Sequence, residues 1–310
     1  MRILLADSVQ RFYATEPAIP DDIEVEWFSD DRIPGGDYVA IMPDITRRIT
    51  RTHLEQLPNL RIVANYGAGY DNIDVRAARS RGIAVSNTPG ALTGATAELT
   101  WALILATVRR IGEGERQLRA GGWKGWQPTH MLGTNLDGKI LGIVGAGRIG
   151  REVGRRAGAF GMEVLYNSRT AKPAFERESN ARLATLEHLL QTADVVTLHV
   201  ALTAETRQLI GERELALMKP TSFLVNTTRG SIVDQPALIE ALQERRIRGA
   251  GLDVYDGEPA VPAELIALEN VVLLPHLGSA TEESRLAMWK LAWKNLLAGI
   301  RGEPIPNPVL

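Results

Sequence analysis

The chain has 310 residues, no cysteine and a formal net charge of −2 at pH 7. Such a charge gives no electrostatic attraction to nucleic acid or to an anionic membrane. The lack of cysteine excludes disulfides, thiolate nucleophiles and cysteine metal ligands, which fits a reducing compartment. The length suggests two domains, and no apolar stretch approaches the roughly 20 residues that span a bilayer. We therefore expect a soluble, cytoplasmic protein that binds neither nucleic acid nor membrane.

The amino-terminal part of the chain predicts a small α/β unit. Short apolar runs separated by polar loops predict strands at residues 2–6, 24–28, 38–42, 61–66 and 83–85. Asp74 is a candidate cap for a short helix that stops at Gly82, because glycine commonly follows a helix end.

A long apolar helix is predicted at residues 95–110, and a second short helix follows it. Residues 121–138 show no regular spacing of apolar residues, are rich in glycine and carry Trp123 and Trp126. A loop of this length in a compact domain is usually functional or makes contacts. Because aromatic residues are enriched in interface cores, we expect a homodimer with this loop at or across the interface. In the alternative, both rings cover their own subunit.

Residues 139–169 carry the strongest motif. The apolar run Ile140–Val144 has strand length, and Gly145, Gly147 and Gly150 follow it in the spacing G-x-G-x-x-G. A helical stretch and a second strand complete the unit within about 30 residues, which makes this a dinucleotide-binding fingerprint rather than a chance match. The first glycine permits the tight turn, the second the approach of a pyrophosphate, and the third close packing of helix on strand.

The end of the second strand in this unit predicts the choice of dinucleotide. NAD sites usually carry an acidic residue about 20 residues beyond the glycine motif, where it holds the ribose hydroxyls. Here the position falls on Asn167 or Ser168, and Arg169 and Thr170 follow. An uncharged residue followed by an arginine accommodates the 2′-phosphate of NADPH, so all four residues are candidate cofactor contacts and we expect NADPH to be preferred, with NADH possible.

The remaining chain alternates strands and helices as far as the last helix. Strands are predicted at residues 195–200, 222–226, 250–255 and 271–274, and helices at about 183–191, 212–218 and 236–246. Six strands with intervening helices predict a parallel, doubly wound α/β sheet. Ser279 and Glu282 predict a capping box, and Trp289 and Trp293 fall on the apolar face of the helix that follows.

Three charged or titratable side chains follow the ends of predicted strands, where ligands bind in such sheets. They are Arg229, Glu258 and His276. Arginine can hold the carboxylate and carbonyl of a 2-keto acid in a bidentate fork, histidine can donate a proton near neutral pH, and a carboxylate bonded to the histidine orients it and favours the imidazolium. A nicotinamide supplies the hydride in such a reduction.

Six segments together resemble the D-isomer-specific 2-hydroxyacid dehydrogenase family over nearly the whole chain. They are VANYGAGYDNID, ATAELTWALILA, ILGIVGAGRIG, NTTRGSIVD, GLDVYDGEP and LPHLGSAT. The glyoxylate/hydroxypyruvate reductase branch is the most similar, partly through WKGWQPTHMLG. The resemblance implies a Rossmann cofactor domain, residues 98–281, inserted in a smaller flavodoxin-like α/β substrate domain of residues 1–97 and 282–310, with hinges near residues 95–100 and 278–284.

The resemblance also implies roles for individual residues. Arg229 would bind and polarise the substrate, His276 would be the acid/base and Glu258 its partner, and the backbone N–H groups of Ala68 and Gly69 would take the substrate carboxylate. Further residues match cofactor-contacting positions: Thr96, Arg148, Ile149, Thr227, Asp253 and Gly278. Val200, at the end of a predicted strand, is an additional cofactor-binding candidate.

Two alternatives to an NADPH-preferring reductase of glyoxylate and hydroxypyruvate stay open. One is an NAD-dependent dehydrogenase of another D-2-hydroxy acid, such as D-lactate or phosphoglycerate. The other is a dinucleotide-sensing binding protein of the corepressor type, against which the complete set of Arg229, Glu258 and His276 stands. The other four histidines show no metal-ligand spacing, so we expect no metal and interpret as structural or solvated His53, His130, His188 and His199.

Overall fold

A computed structural model describes residues 1–13, 20–29 and 32–309. Their contacts divide the chain into two compact units, one formed by Met1–Leu92 with Ala280–Leu310 and the other by Thr93–Ser279. Within the described residues, no helix combines the length and the apolar character needed to cross a membrane.

The strands and helices alternate along most of the chain. The strands are β1 (Arg2–Ala6), β2 (Glu24–Phe28), β3 (Tyr38–Met42), β4 (Ile62–Ala64), β5 (Ala84–Ser86), β6 (Ile140–Val144), β7 (Glu163–Asn167), β8 (Arg182–Leu183), β9 (Val195–Leu198), β10 (Phe223–Asn226), β11 (Gly249–Leu252) and β12 (Val271–Leu273). The helices are α1 (Gln10–Tyr13), α2 (Arg51–Glu55), α3 (Val75–Ser80), α4 (Thr93–Val108), α5 (Ile111–Arg119), α6 (Arg148–Ala157), α7 (Pro173–Ser179), α8 (Leu186–Thr192), α9 (Glu212–Leu217), α10 (Gln235–Gln243), α11 (Ala263–Ile266) and α12 (Glu282–Arg301).

The first unit is a parallel sheet in the order β2-β1-β3-β4-β5 with helices on its faces. Helix α12 packs on one face, where Trp289 and Trp293 are buried with ring centroids 5.4 Å apart. Both tryptophans therefore belong to the core, as the spacing of three and four residues predicts. Asp74 caps α3 by accepting a hydrogen bond from the N–H of Ala77, which confirms the predicted start of that helix.

The start of α12 differs from the prediction. The helix begins at Glu282, and its N-cap is Thr281, whose hydroxyl accepts the N–H of Ser284 at 3.1 Å. The predicted capping box of Ser279 with Glu282 is therefore wrong. The sequence offers two hydroxyl residues that could satisfy an N–H of the first turn, and only the path of the chain selects between them.

The second unit is a doubly wound parallel sheet in the order β12-β11-β10-β9-β6-β7-β8. This confirms the predicted α/β Rossmann class. Strand β8 has two residues, and its pairing with β7 spans two register positions, Leu165 to Arg182 and Tyr166 to Leu183. Sequence periodicity missed it because an alternation needs about four residues to show.

The strand order places the switch point of the second sheet between β6 and β9. From β6 the chain runs outward through β7 and β8, and it then returns to the other side of β6 through β9. The loops after these two central strands diverge to opposite faces, which opens the crevice where doubly wound sheets bind ligands. Core residues fill both faces of the sheet, so the crevice rests on a rigid base.

Candidate functional site

The glycine turn after β6 has the geometry that its spacing predicts. Gly145 has a φ of 103°, and a Cβ there would lie 2.6 Å from the carbonyl carbon of His199 and 2.7 Å from the nitrogen of Val200. At Gly150 a Cβ would lie 2.1 Å from the carbonyl oxygen of Gly145. Both positions therefore exclude any side chain. Gly145 needs its positive φ and has no space for a Cβ, and at Gly150 helix α6 packs directly on the turn.

The space above Gly147 is open. No atom lies within 4 Å of the Cβ that could be built there, and Gly147 is the N-cap of the ten-residue helix α6. Arg148 is exposed and Ile149 half-buried in the first turn of this helix. The open N-terminus presents N–H groups and the positive end of the helix dipole, which together suit an anionic group.

The loop after β7 combines a structural residue with exposed polar ones. The amide of Asn167 donates to the carbonyl of Ala184 at 3.0 Å, which ties it to the chain after β8. Ser168 is half-buried, and Arg169 and Thr170 are exposed. The ammonium of Lys172 donates to the hydroxyl of Thr170 at 2.7 Å, so the loop carries a second cation that the sequence interpretation missed.

His199 lies at the end of β9 against the glycine turn. Its N–H donates to the carbonyl of Val144 at 2.7 Å, and its ring Nε2 contacts the hydroxyl of Thr197 at 3.0 Å. Ring Nδ1 is enclosed without a hydrogen-bond partner among the described residues. Burial lowers the pKa of His199 to about 3, so the ring is neutral at physiological pH.

His276 and Glu258 form a hydrogen-bonded pair. Nδ1 of His276 lies 2.8 Å from Oε2 of Glu258, and the other carboxylate oxygen accepts the N–H of Tyr255 at 2.8 Å. Although burial favours the neutral acid, these two bonds and the charge of Arg229 hold the pKa of Glu258 below its ordinary value. The carboxylate is therefore ionised, and it leaves Nε2 of His276 as the nitrogen that can exchange a proton.

Asp253 fixes the turn that carries His276. Its carbonyl accepts the N–H of His276 at 2.9 Å, and its two carboxylate oxygens accept the N–H groups of Leu277 at 2.6 Å and Gly278 at 2.8 Å. His276 has a φ of 56°, a region that non-glycine residues seldom occupy. Three consecutive hydrogen bonds from one buried residue hold that conformation, and the hydroxyl of Thr96 adds a bond to the carbonyl of Gly278 at 2.8 Å.

Arg229 sits on a loop that is locked to the loop of Glu258. A Cβ on Gly230 would lie 1.8 Å from the carbonyl carbon of Tyr255, so the two backbones are in direct contact. The amide of buried Asn226 donates to the carbonyl of Arg229 at 2.9 Å. Next to it, Thr227 is buried and contacts the hydroxyl of Thr100 at 3.0 Å. The loops after β10, β11 and β12 thus form one connected assembly.

Ala68 and Gly69 belong to the other unit, where they follow β4 and are half-buried.

The loop of residues 121–138 contains no helix or strand, and Trp123 and Trp126 on it are 55% and 82% exposed. Within the described ranges, no cluster of three or more histidine, aspartate and glutamate side chains is arranged to hold a metal ion.

The sequence interpretation missed the residues that brace the charged ones. The side-chain amide of Asn226 holds the backbone carbonyl of Arg229, and the backbone N–H of Tyr255 holds the carboxylate of Glu258. Gly230 permits the contact between the two loops. A buried asparagine at the end of an apolar strand is the only local signal for this bracing, because the partners lie on different loops.

The family model for the NAD-binding domain of D-isomer specific 2-hydroxyacid dehydrogenases matches residues 101–278. The glyoxylate reductase of Thermococcus litoralis is 52% identical over 274 residues, covering 87% of this chain and 83% of its own length. The glyoxylate reductase of Pyrococcus furiosus is 48% identical over 303 residues, covering 94% and 90%.

Among solved structures, the NADPH-dependent glyoxylate/hydroxypyruvate reductase of Sinorhizobium meliloti, in complex with NADP and malonate, is similar with a TM-score of 0.90. It is 34% identical, and the match covers 99% of this chain and 96% of that one. The family match, the relatives at about half identity and the shared fold agree with the glycine turn and the residues around it. The chain belongs to the D-isomer-specific 2-hydroxyacid dehydrogenases, a family of nicotinamide-dependent oxidoreductases.

Proposed function

We propose that this protein reduces glyoxylate and hydroxypyruvate to glycolate and D-glycerate, with NADPH as the preferred cofactor. The observation that carries the proposal is the pair of His276 and Glu258, 2.8 Å apart, on loops joined to that of Arg229. The imidazole of His276, held by the carboxylate of Glu258, suits proton transfer to the carbonyl oxygen of a 2-keto acid, and the guanidinium of Arg229 suits the binding of that acid. The names of the relatives, glyoxylate reductase and glyoxylate/hydroxypyruvate reductase, support this substrate class.

His276 acts as the acid in reduction and as the base in the reverse direction. Protonated at Nε2, it donates that proton to the substrate carbonyl oxygen, and Glu258 stabilises the imidazolium through Nδ1. Arg229 binds the substrate and polarises its carbonyl through the guanidinium fork. Bound nicotinamide supplies the hydride.

The backbone N–H groups of Ala68 and Gly69 bind the substrate carboxylate. We assign substrate binding to the unit of Met1–Leu92 with Ala280–Leu310, and cofactor binding to the unit of Thr93–Ser279. The glycine turn of the second unit, with its open N-cap at Gly147, holds the diphosphate. Further cofactor contacts come from residues in the loops around the same crevice: Thr96, Arg148, Ile149, Val200, Thr227, Asp253 and Gly278.

The preference for NADPH rests on the loop after β7. Arg169 is exposed there with no acidic residue at the positions that begin the loop, and Ser168, Thr170 and Lys172 add donors. The pKa of Glu205 is lowered by a hydrogen bond from the hydroxyl of Thr203, by a hydrogen bond from its own backbone and by the charge of Arg169. Glu205 is exposed, so its attraction for Arg169 is screened by solvent and competes weakly with a 2′-phosphate.

The oligomer is a homodimer formed through α5 and the loop of residues 121–138. Helix α5 buries none of its residues, and exposed apolar side chains extend from it along the loop. They are Ile111 at 55%, Leu118 at 61%, Trp123 at 55%, Trp126 at 82% and Leu132 at 58% exposure. A concentration of large apolar groups on one segment marks an interaction site, and a second copy of the chain carries the same apolar surface.

A substrate panel tests the proposed activity. Glyoxylate, hydroxypyruvate, pyruvate and phosphohydroxypyruvate are supplied with NADPH or NADH, and kcat/KM is measured for each pair. We expect the highest values for glyoxylate and hydroxypyruvate with NADPH and a loss of turnover in His276→Ala. A clear preference for pyruvate or phosphohydroxypyruvate, or full activity in His276→Ala, contradicts the proposal.

A further inference from the structure

The loop Gly67-Ala68-Gly69 has all three of its carbonyl oxygens tied to the protein. The backbone N–H of Thr88 donates to the oxygen of Gly67 at 2.9 Å. The side-chain amide of Asn87 donates to the oxygen of Ala68 at 2.7 Å, and that of Asn65 donates to the oxygen of Gly69 at 2.7 Å. Asn65 before the loop and Asn87 and Thr88 after it thus fix its backbone, the two asparagines through their side chains.

Each of these bonds also orients an N–H group. In a planar trans peptide the N–H of one residue points opposite to the carbonyl of the residue before it. Asn87, by holding the oxygen of Ala68, therefore fixes the direction of the Gly69 N–H. In the same way Asn65 fixes the direction of the Tyr70 N–H, and Thr88 that of Ala68.

The N–H groups oriented in this way are available to a ligand. Within residues 1–13, 20–29 and 32–309, no acceptor is found for the N–H of Ala68, Gly69 or Tyr70. Ala68 and Gly69 are half-buried and Tyr70 is 42% exposed, so the loop lies at the surface of its unit. Successive backbone N–H groups that point to one side form an anion-binding concavity.

The two asparagines are themselves held in place. Asn65 is fully buried, and its side-chain oxygen accepts the amide of Asn72 at 3.2 Å. The carbonyl of Asn87 accepts the amide of buried Asn295 in α12 at 2.9 Å, and its N–H donates to the carbonyl of Asn307 at 3.3 Å.

The first residue of the loop is closely packed. A Cβ on Gly67 would lie 2.2 Å from the Cγ2 methyl of Ile45 and 3.2 Å from the amide nitrogen of Asn65. Residues from three parts of the sequence thus converge on one short loop: Ile45, Asn65, and Asn87 with Thr88. An apolar residue in place of either asparagine would leave the carbonyl of Ala68 or of Gly69 without its donor.

We infer that Asn65 and Asn87 are positioning residues for the substrate carboxylate, which they serve by aiming the N–H groups of Gly69 and Tyr70 at it. The inference rests on the proposed function, in which Ala68 and Gly69 bind that carboxylate, and it adds a third N–H donor from Tyr70. The brace reaches through Asn295 and Asn307, so the last helix and the segment after it contribute to substrate recognition.

Steady-state kinetics of Asn87→Ala and Asn87→Leu test the inference, with Asn59→Ala as the control. Asn59 is an exposed asparagine of the same unit whose amide donates to Asp37, away from the loop. Asn87→Leu keeps the approximate size of the side chain without the donor and without adding a charge, so it decides the matter if the alanine variant does not fold. We expect KM for glyoxylate and the inhibition constant of oxamate to rise about tenfold in both variants, while kcat and KM for NADPH stay within about twofold.

Methylglyoxal, an aldehyde with a methyl ketone in place of the carboxylate, separates positioning from a general structural role. Its reduction, measured as kcat/KM, should change little in the Asn87 variants, so discrimination in favour of glyoxylate should fall about tenfold. Unchanged glyoxylate KM in both folded variants, or an equal loss for both aldehydes, overturns the inference. Lack of turnover of every 2-keto acid by the unmodified enzyme contradicts the proposed function instead.

Discussion

Replacement of Glu258 by glutamine should move the pH dependence of the reaction without removing the reaction itself. The change keeps the shape of the side chain and removes the negative charge 2.8 Å from Nδ1 of His276. Reduction needs the imidazolium, which the carboxylate favours. The alkaline fall of the reduction rate should therefore move in the acidic direction in the variant.

The size of this shift follows from the geometry of the pair. A hydrogen bond to a charged group contributes roughly 1.5–3 kcal/mol, and about 1.4 kcal/mol corresponds to one pH unit. The side chains of His276 and Glu258 are 27% and 30% exposed, which screens the interaction and favours the lower end of the range. We expect the midpoint of the alkaline limb to move by about one pH unit.

The assay is kcat/KM for glyoxylate reduction, measured across the pH range in the unmodified enzyme, Glu258→Gln and Asp256→Asn. Asp256 lies two residues before Glu258, is exposed and is hydrogen-bonded to Ser231 rather than to His276, so its replacement should leave the profile in place. Identical alkaline limbs in the unmodified enzyme and Glu258→Gln, or an equal shift in Asp256→Asn, refute the role assigned to the pair.

Four further outcomes follow from the structure. Arg169→Ala should lower kcat/KM for NADPH by about ten- to a hundredfold with little change for NADH, whereas Arg177→Ala, at an exposed arginine of α7 outside this loop, should affect neither; an equal loss for both cofactors would disprove the assigned role. Gly230→Ala should cost roughly 1–3 kcal/mol of unfolding free energy and lower kcat, because its Cβ would lie 1.8 Å from Tyr255; wild-type kinetics would show that the loops are not locked. The pKa of His199 is about 3 in the folded chain against 6.5 in the unfolded one, so the unfolded chain takes up a proton first as the pH falls below 6.5. The free energy of unfolding therefore falls by up to about 1.4 kcal/mol per pH unit. Thermal unfolding measured from about pH 7 to pH 5 should show a smaller loss of stability in His199→Gln than in the unmodified protein, and equal losses would contradict this. Trp126→Ala should change substrate selectivity, and light scattering should give a dimer at working concentration; a monomer would rule out the proposed interface.

The sequence predicts those parts of the fold that depend on local patterns. Apolar runs of strand length, the spacing of Gly145, Gly147 and Gly150, and the side chains directly after strand ends are all visible in a single segment. Parallel strands bring their carboxyl ends to one edge, so the order of the elements alone leads one to expect such side chains close together. That is why Arg229, Glu258 and His276 could be expected at one edge of the sheet, whereas the partnership of His276 with Glu258 came from the family resemblance.

The bracing residues could not be predicted, because each depends on partners far away in the chain. Asp253 accepts N–H groups from Leu277 and Gly278, and Asn87 holds Ala68 from another strand end. The choice of Thr281 over Ser279 as the cap of α12 depends likewise on the direction in which the chain enters the helix. Local sequence gives the donors and acceptors, and tertiary structure decides which of them meet.

The product formed from hydroxypyruvate and NADPH tests the central claim most directly. Chiral chromatography of the product, together with the amount of NADPH consumed, reports the reaction, its cofactor and its stereochemistry in one measurement. The account predicts D-glycerate in an amount equal to the NADPH oxidised. L-glycerate, or no reduction of hydroxypyruvate with NADPH, would contradict it.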